Sequence, residues 1–313
     1  MRFFTVSQSD LDSLGKPKEY DRVRINAHKD RSDRLHEMFI RHDRDSRHRP
    51  EKHLGKAESL LMLDGRARLV FVDDSGVIND FRDLGPYGSD AETFYCRTPA
   101  DMGHQLIPCT QDPEICTKET TGGPWFREDS VAVEIKDLPE DQCGVRQRKP
   151  LGLVRVSEEA FYTTDRIVSV GRREIEALKA EVPNTARKRI RLCTHRNAQE
   201  KLHEMFVVYT AKTLIQPNKH LGKDESFHIL EGSADFIFYT DSGDVLEIIP
   251  LGDQASGKTF FLRVPAGIYH TVVMTSDILV IHEATPGPYD RLHTVWAPWE
   301  SNYLKQQTAR ATV

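Results

Sequence analysis

The chain has 313 residues, a length that allows two domains, and 29% of them are charged. Its formal net charge of −5 leaves no broad basic field for nucleic acid or an anionic membrane surface. No run reaches membrane-spanning length and the opening "MRFFTVSQSD" lacks the apolar core of a signal peptide, so a cytoplasmic protein is expected.

In chain order, "RVRINAHKDRSDRLHEMF" (22–39) alternates as strands do and puts Arg24, Asn26 and His28 on one face. "RHDRDSRHRPEKH" (41–53) is dense in Arg and His but broken by Asp, which reads as a solvated strand or loop. "EKHLGKAESLLMLDG" (51–65), "DDSG" (73–76), "TFYCRTPADMGH" (93–104) and "KETTGGPW" (118–125) follow. The polar stretch "LPEDQCGVRQRKPLG" (138–152) suits a join, and "GRREIEALKAEVPN" (171–184) predicts a short helix stopped by Pro and Asn.

The same series then returns. "RIRLCTHRNAQEKLHEMF" (189–206), "NKHLGKDESFHILEG" (218–232), "TDSG" (240–243), "TFFLRVPAGIYH" (259–270) and "HEATPGPY" (282–289) repeat the first set in order. The chain is a duplicated domain, with expected bounds 1–145 and 146–313. "ADFIFYTDSGDVLEIIPLG" (234–252) predicts a hairpin, and "HTVVMTSDILVIHEA" (270–284) two more short strands. Many short strands and little helix predict an all-β chain of two compact antiparallel sandwiches or barrels. The five cysteines, Cys96, Cys109, Cys116, Cys143 and Cys193, contain no CxxC pair and read as reduced thiols. Cys109 and Cys116 are open to pairing or to metal, with free thiols the simpler reading.

The repeated stretch carries the chemistry. His220 and Glu225 are five apart, so on one strand they would face opposite ways. They converge only if "LGKD" turns the chain, and Gly222 takes a positive φ at little cost. Glu225 then heads an apolar face with Phe227 and Ile229, where an unpaired carboxylate is unfavourable. A cation or a charged partner is needed. His270, at the end of "PAGIYH", supplies a third group. The first half offers His53, Glu58 and His104. Two imidazoles and a carboxylate suit Fe, Mn, Ni, Co or Zn; a metal-free hydrogen-bonded His–Glu cluster is the other reading. The second set is favoured for metal, because "PADMGH" puts Asp101 where the second half has Gly267.

"NKHLGKDESFHILEG" and "PAGIYH" resemble the two motifs of the cupin superfamily, and "EKHLGKAESLLMLDG" and "PADMGH" do so in part. Asn218 and Glu51 stand where that pattern has its first His. Asn218 could offer a weak carbonyl oxygen, and Glu51 a further carboxylate. More narrowly, "RVRINAH", "RIRLCTH", "EATPGPY" and the terminal "WAPWE" resemble WbuC-family cupin-fold proteins. The resemblance implies two tandem cupin-type double-sheet jelly-roll barrels, with few short helices and a divalent transition metal inside each.

Arg24 and His28, with Arg191 and His195, read either as an anion-binding strip for substrate or as exposed strand faces. His36 and His203 read as structural. Lys56 and Lys223 lie in the turns beside the ligands, solvated or paired with a substrate acid. Tyr269 should face away from His270, and Trp296 and Trp299 should pack the terminus onto a barrel. No catalytic residue emerges. The expectation is a metal-dependent enzyme acting on a small anionic or carbohydrate-type molecule by Lewis-acid chemistry, in the manner of an isomerase or epimerase. An Fe(II)-dependent dioxygenase and a non-catalytic small-molecule-binding bicupin are the alternatives. Nucleic acid and membrane are not expected partners, and a homodimer is left open.

Overall fold

A computed structural model of the chain describes residues 3–15, 22–42, 50–109, 114–121, 130–132 and 149–299. Residues 43–49 of the Arg/His-dense stretch, the "GGPW" turn, most of the expected join, Cys143 and Glu300 lie outside them. The chain is mainly β-structure in two compact units. The first unit comprises Leu11–Leu153 and Thr163–Glu176; the second comprises Met1–Asp10, Val154–Tyr162 and Ala177–Val313. Each is an antiparallel barrel of the double-sheet jelly-roll kind, as expected.

In the first barrel one sheet runs in the order Val168–Val170, Tyr95–Thr98, Glu58–Asp64, Glu114–Thr121, Leu35–His42, Arg22–Asn26. The facing sheet runs Ser130–Ala132, Glu51–His53, Gly103–Pro108, Ala67–Val72, Ile78–Leu84. Met38, Ile40, Leu60, Met62, Leu69, Phe71, Cys96 and Cys116 form the core between them. They sit at every second position of their strands, as a pleated face requires. The neighbouring positions Phe39, Leu61 and Val70 are buried too, so these strands read as near-continuous apolar runs. The second barrel repeats this with Met205, Val207, Tyr209, Phe227, Ile229, Phe236, Phe238, Leu262 and Ile281 inside. Its two layers join into one continuous sheet.

Both Asp-Ser-Gly stretches turn a hairpin, the second as predicted. The Asp73 carboxylate accepts from the backbone N–H of Ser75 at 2.9 Å and of Val77 at 3.0 Å, and a register shift at Phe71/Val72 absorbs the turn. The predicted helix is Arg172–Glu181, followed by a 3₁₀ turn at Val182–Asn184. Glu174 caps it by accepting from the Gly171 N–H at 3.0 Å. Cys96, Cys116 and Cys193 are buried free thiols, as expected, whereas Cys109 is disulfide-bonded and corrects the fully reduced reading. No helix of the described residues is long and apolar enough to cross a membrane.

Each barrel is completed by a strand from the other half of the sequence. Phe4–Ser7 pairs antiparallel with Thr259–Val264. Val168–Val170 pairs antiparallel with Tyr95–Thr98, the counterpart of Thr259–Val264 in the first repeat.

Two glycines separate steric from conformational demand. Gly232 has φ +84°, and a Cβ there would meet the Ile278 carbonyl oxygen at 2.2 Å; Gly222 has φ +76° and nothing within 4 Å. Gly232→Ala is expected to destabilise by about 3 kcal/mol or more, through strain and a backbone clash. Gly222→Ala should cost only about 1–2 kcal/mol for the left-handed conformation. Urea unfolding of both variants checks the order.

Candidate metal centre

The turn that the repeated stretch requires is present in both barrels, with Gly55 at φ +65° and Gly222 at φ +76°. It carries the chain from a three-residue strand, Glu51–His53 or Asn218–His220, to the head of the next, Glu58 or Glu225. A backbone hydrogen bond from the motif-two loop holds it. Asp101 N–H donates to the His53 carbonyl at 3.0 Å, and Gly267 N–H to the His220 carbonyl at 2.8 Å. Asp101, at φ +62°, takes the left-handed conformation that Gly267 takes at φ +82°. Its carboxylate accepts from the Gly55 N–H at 3.0 Å. The departure from the glycine pattern thus braces the turn rather than opening it.

In the first barrel four side chains converge. His53 Nε2 lies 2.9 Å from Glu58 Oε2 and 3.6 Å from Glu51 Oε1, and His104 Nε2 lies 3.3 Å from Glu58 Oε1. Their ligand atoms all fall within 4.8 Å of one another, and among the described residues no other set does so. His53, Glu58 and His104 are 2%, 3% and 4% exposed. His104 Nδ1 donates to the Met102 carbonyl at 2.9 Å, which leaves the Nε2 lone pair facing the cluster. Glu51 stands directly across the strand pair from His104. Separations on the order of 3 Å suit two imidazole nitrogens and two carboxylate oxygens around one transition-metal ion with bonds of about 2.0–2.2 Å. The residues therefore fit a metal.

The second barrel brings His220, Glu225 and His270 together in a looser way. His220 Nε2 is 3.1 Å from Glu225 Oε1 and His270 Nε2 is 3.5 Å from Glu225 Oε2, while the two imidazole centroids are 6.2 Å apart, against 5.6 Å in the first barrel. Asn218 lies opposite His270, as Glu51 does opposite His104, but its amide N–H donates to the Gln216 carbonyl at 3.2 Å. The Lys223 ammonium lies 3.7 Å from Glu225 Oε1. Burial pushes the His220 imidazole down to about 4, against the opposing pull of Glu225. Burial would raise the Glu225 carboxyl, but His270, His220 and Lys223 together hold it below its usual value.

Glu283 was not among the residues that the sequence singled out. Burial and the Glu225 charge push its carboxyl up to about 7. Aligning "KETTGGPW" on "HEATPGPY" pairs Glu119 with Glu283, whereas the strand register pairs Lys118 with it. In backbone register Lys118 pairs with Met38 and Leu60, and Glu283 with their counterparts Met205 and Phe227. Thr120 and Thr285 confirm the register, since their hydroxyls donate to the equivalent Ala57 and Asp224 carbonyls at 2.8 and 2.9 Å.

The Arg and His strands divide their residues. Arg191 shares a strand face with the core residue Cys193, and its charge acts on Glu283. Arg24 is exposed, with Nη1 3.9 Å from Met38 Sδ. His28 and His195 do not continue those faces: each stacks on His36 or His203, at 4.3 and 4.0 Å between centroids. Tyr269 faces away from His270 and packs with Tyr239 and Trp299, whereas Trp296 is exposed.

The sheet face opposite the second cluster holds another buried polar group. His282 Nε2 lies 3.4 Å from Glu204 Oε1, and His228 stands across the strand pair from His282. His228 Nδ1 has no hydrogen-bond partner among the described residues, and Leu61 occupies the equivalent place in the first barrel.

Residues 8–84 and 170–251, one stretch in each repeat and together just over half of the chain, match the family model described as Domain of unknown function (DUF6016). The chain belongs to that family. No curated protein matches it. Among solved structures, the salicylate 1,2-dioxygenase from Pseudoaminobacter salicylatoxidans in complex with gentisate is similar with a TM-score of 0.63, at 11% identity over 95% of this chain and 86% of the other. A mutant of Bacillus subtilis oxalate decarboxylase OxdC has a TM-score of 0.50, at 12% identity over 98% and 83%. The "Cupin 2 conserved barrel domain protein" from Leptotrichia buccalis has 0.50, at 9% identity over 88% and 94%. At these identities the likeness is one of fold, and it establishes this DUF6016 chain as a tandem pair of cupin barrels.

His228 makes acid stability testable. Burial pushes its imidazole down to about 3, and the nearby His282 adds to the effect. The unfolded chain then binds a proton near pH 6.5 that the folded chain refuses, so the contribution of His228 to stability is full above pH 6.5 and is lost between pH 6.5 and 3, at up to about 1.4 kcal/mol per pH unit. His228→Leu is expected to melt with a shallower loss between pH 7 and 4.5 than the parent. Thermal melts across that range decide it.

Proposed function

We propose that this protein is a metal-dependent bicupin that acts on a small anionic molecule, with its metal held by Glu51, His53, Glu58 and His104. The observation that carries the reading is the convergence of these four ligand atoms around a carboxylate buried inside an apolar barrel. A divalent Mn, Fe, Co, Ni or Zn ion bound there would supply Lewis-acid chemistry, polarising a carbonyl or hydroxyl. Around it, His104 is held in one tautomer by Met102, and Asp101 keeps the turn between His53 and Glu58 closed. The resemblance of each half to WbuC-family proteins, carried by "RVRINAH", "RIRLCTH" and "EATPGPY", supports this reading.

Small carboxylates are the favoured substrate class. The names of two fold neighbours carry salicylate, gentisate and oxalate. Isomerase-like chemistry, Fe(II)-dependent dioxygenation and binding without turnover give different readouts on one panel of small carboxylates and sugar nucleotides. Product formation without oxygen uptake marks the first, oxygen uptake under iron loading the second, and saturable binding alone the third.

Glu58→Gln and His104→Ala are each expected to lower bound metal by at least about tenfold, since even residues behind the ligands commonly cost 10–100-fold. Elemental analysis of folded protein, checked by circular dichroism, measures it. Unchanged metal content would sink the assignment.

A further inference from the structure

The two clusters share an ancestor in sequence but not a charge. The first holds two carboxylates, Glu51 and Glu58, with two imidazoles. The second holds one, Glu225, because Asn218 replaces Glu51 and turns its amide N–H to the Gln216 carbonyl. The second also contains a cation of its own. The Lys223 side chain is only 12% exposed, and its ammonium lies 3.7 Å from the same Glu225 oxygen that His220 approaches at 3.1 Å.

We infer that Lys223 takes the place of a metal in the second barrel, so that the chain binds one metal ion, in its first barrel. The inference rests on the metal reading proposed above for that barrel. A divalent ion among His220, Glu225 and His270 would lie beside a largely buried ammonium, where like charges repel more strongly than in water. It would have a single carboxylate among its ligands, Glu225, against two in the first barrel. Glu283 does not complete the set, because no group of described residues containing it brings its ligand atoms within 4.8 Å. The ammonium also explains why the remaining ligands persist without metal: Glu225 is buried, and Lys223 with two imidazoles answers its charge.

Titration of the full-length, metal-stripped chain with cobalt(II), followed by visible absorption and by elemental analysis after desalting, tests this. The parent chain is expected to take one equivalent. His53→Ala should take none and His220→Ala should still take one. Lys223→Met should raise the parent value toward two. Two equivalents in the parent, or cobalt lost from His220→Ala and kept in His53→Ala, overturns the inference while leaving a metal-binding bicupin. A Lys223→Met chain that stays at one shows that Lys223 is not what excludes the ion and overturns it too. No cobalt in the parent overturns both this inference and the function proposed above. The parent stoichiometry needs no variant, so a substitution that fails to fold does not decide the result.

Discussion

Glu58 and Glu225 begin strands whose inward faces continue as Leu60 and Met62 or as Phe227 and Ile229, so each carboxylate meets the core of its barrel with almost no water to solvate it. Much of the local structure follows from answering that charge. The left-handed glycine turn brings back the histidine that precedes it, and the motif-two loop hydrogen-bonds the same turn and delivers the second histidine on the next strand. The donor set around the carboxylate is therefore a property of two backbone turns. It survives changes at the outer positions, where Glu51 and Asn218 differ, because those side chains do not hold the turns.

Much of this was legible in the sequence, and the failures have physical causes. The odd spacing of His220 and Glu225 demanded a turn, and a glycine stood where one was needed. Asp101 looked like a defect because a non-glycine at a left-handed position is read as strain, yet a short carboxylate tolerates that conformation and here accepts from the turn. Lys223 reads in the sequence as solvated or paired with a substrate acid, and only the three-dimensional path of the turn shows it folding back onto Glu225. Glu283 was missed for a different reason: a gap of one residue between repeats cannot be placed from similarity alone, and on a strand a one-residue slip exchanges the two faces. Two threonine hydroxyls on equivalent carbonyls settle the register. His28 and His195 share the period-two pattern of their strands but lie beyond the strand ends, where alternation no longer holds.

The repeats have diverged on both faces of the equivalent sheet. Inside, one barrel presents two acids to two imidazoles, and the other presents one acid to two imidazoles and a lysine, with Glu283 beside them. Outside, the second barrel buries Glu204 with His282 and His228, where the first has Glu37, Thr117 and Leu61. The apolar skeleton changes much less, with Met38, Ile40, Leu60 and Met62 answered by Met205, Val207, Phe227 and Ile229. Packing volume constrains the skeleton, whereas the polar groups need only be satisfied locally, and there are several ways to satisfy a buried charge.

The exchange of edge strands bears on why a duplicated chain of this kind stays duplicated. Phe4–Ser7 comes from the beginning of the sequence and closes the barrel built by the end, while Val168–Val170 comes from beyond the midpoint and closes the barrel built by the beginning. A gene encoding either repeat alone would yield a barrel with a bare row of peptide groups along Thr259–Val264 or Tyr95–Thr98, a template for pairing with other chains. Deleting a repeat therefore bares a strand edge whatever the chemistry of the deleted half. One half is free to exchange its ligands for other polar contacts, provided that it continues to lend its strand.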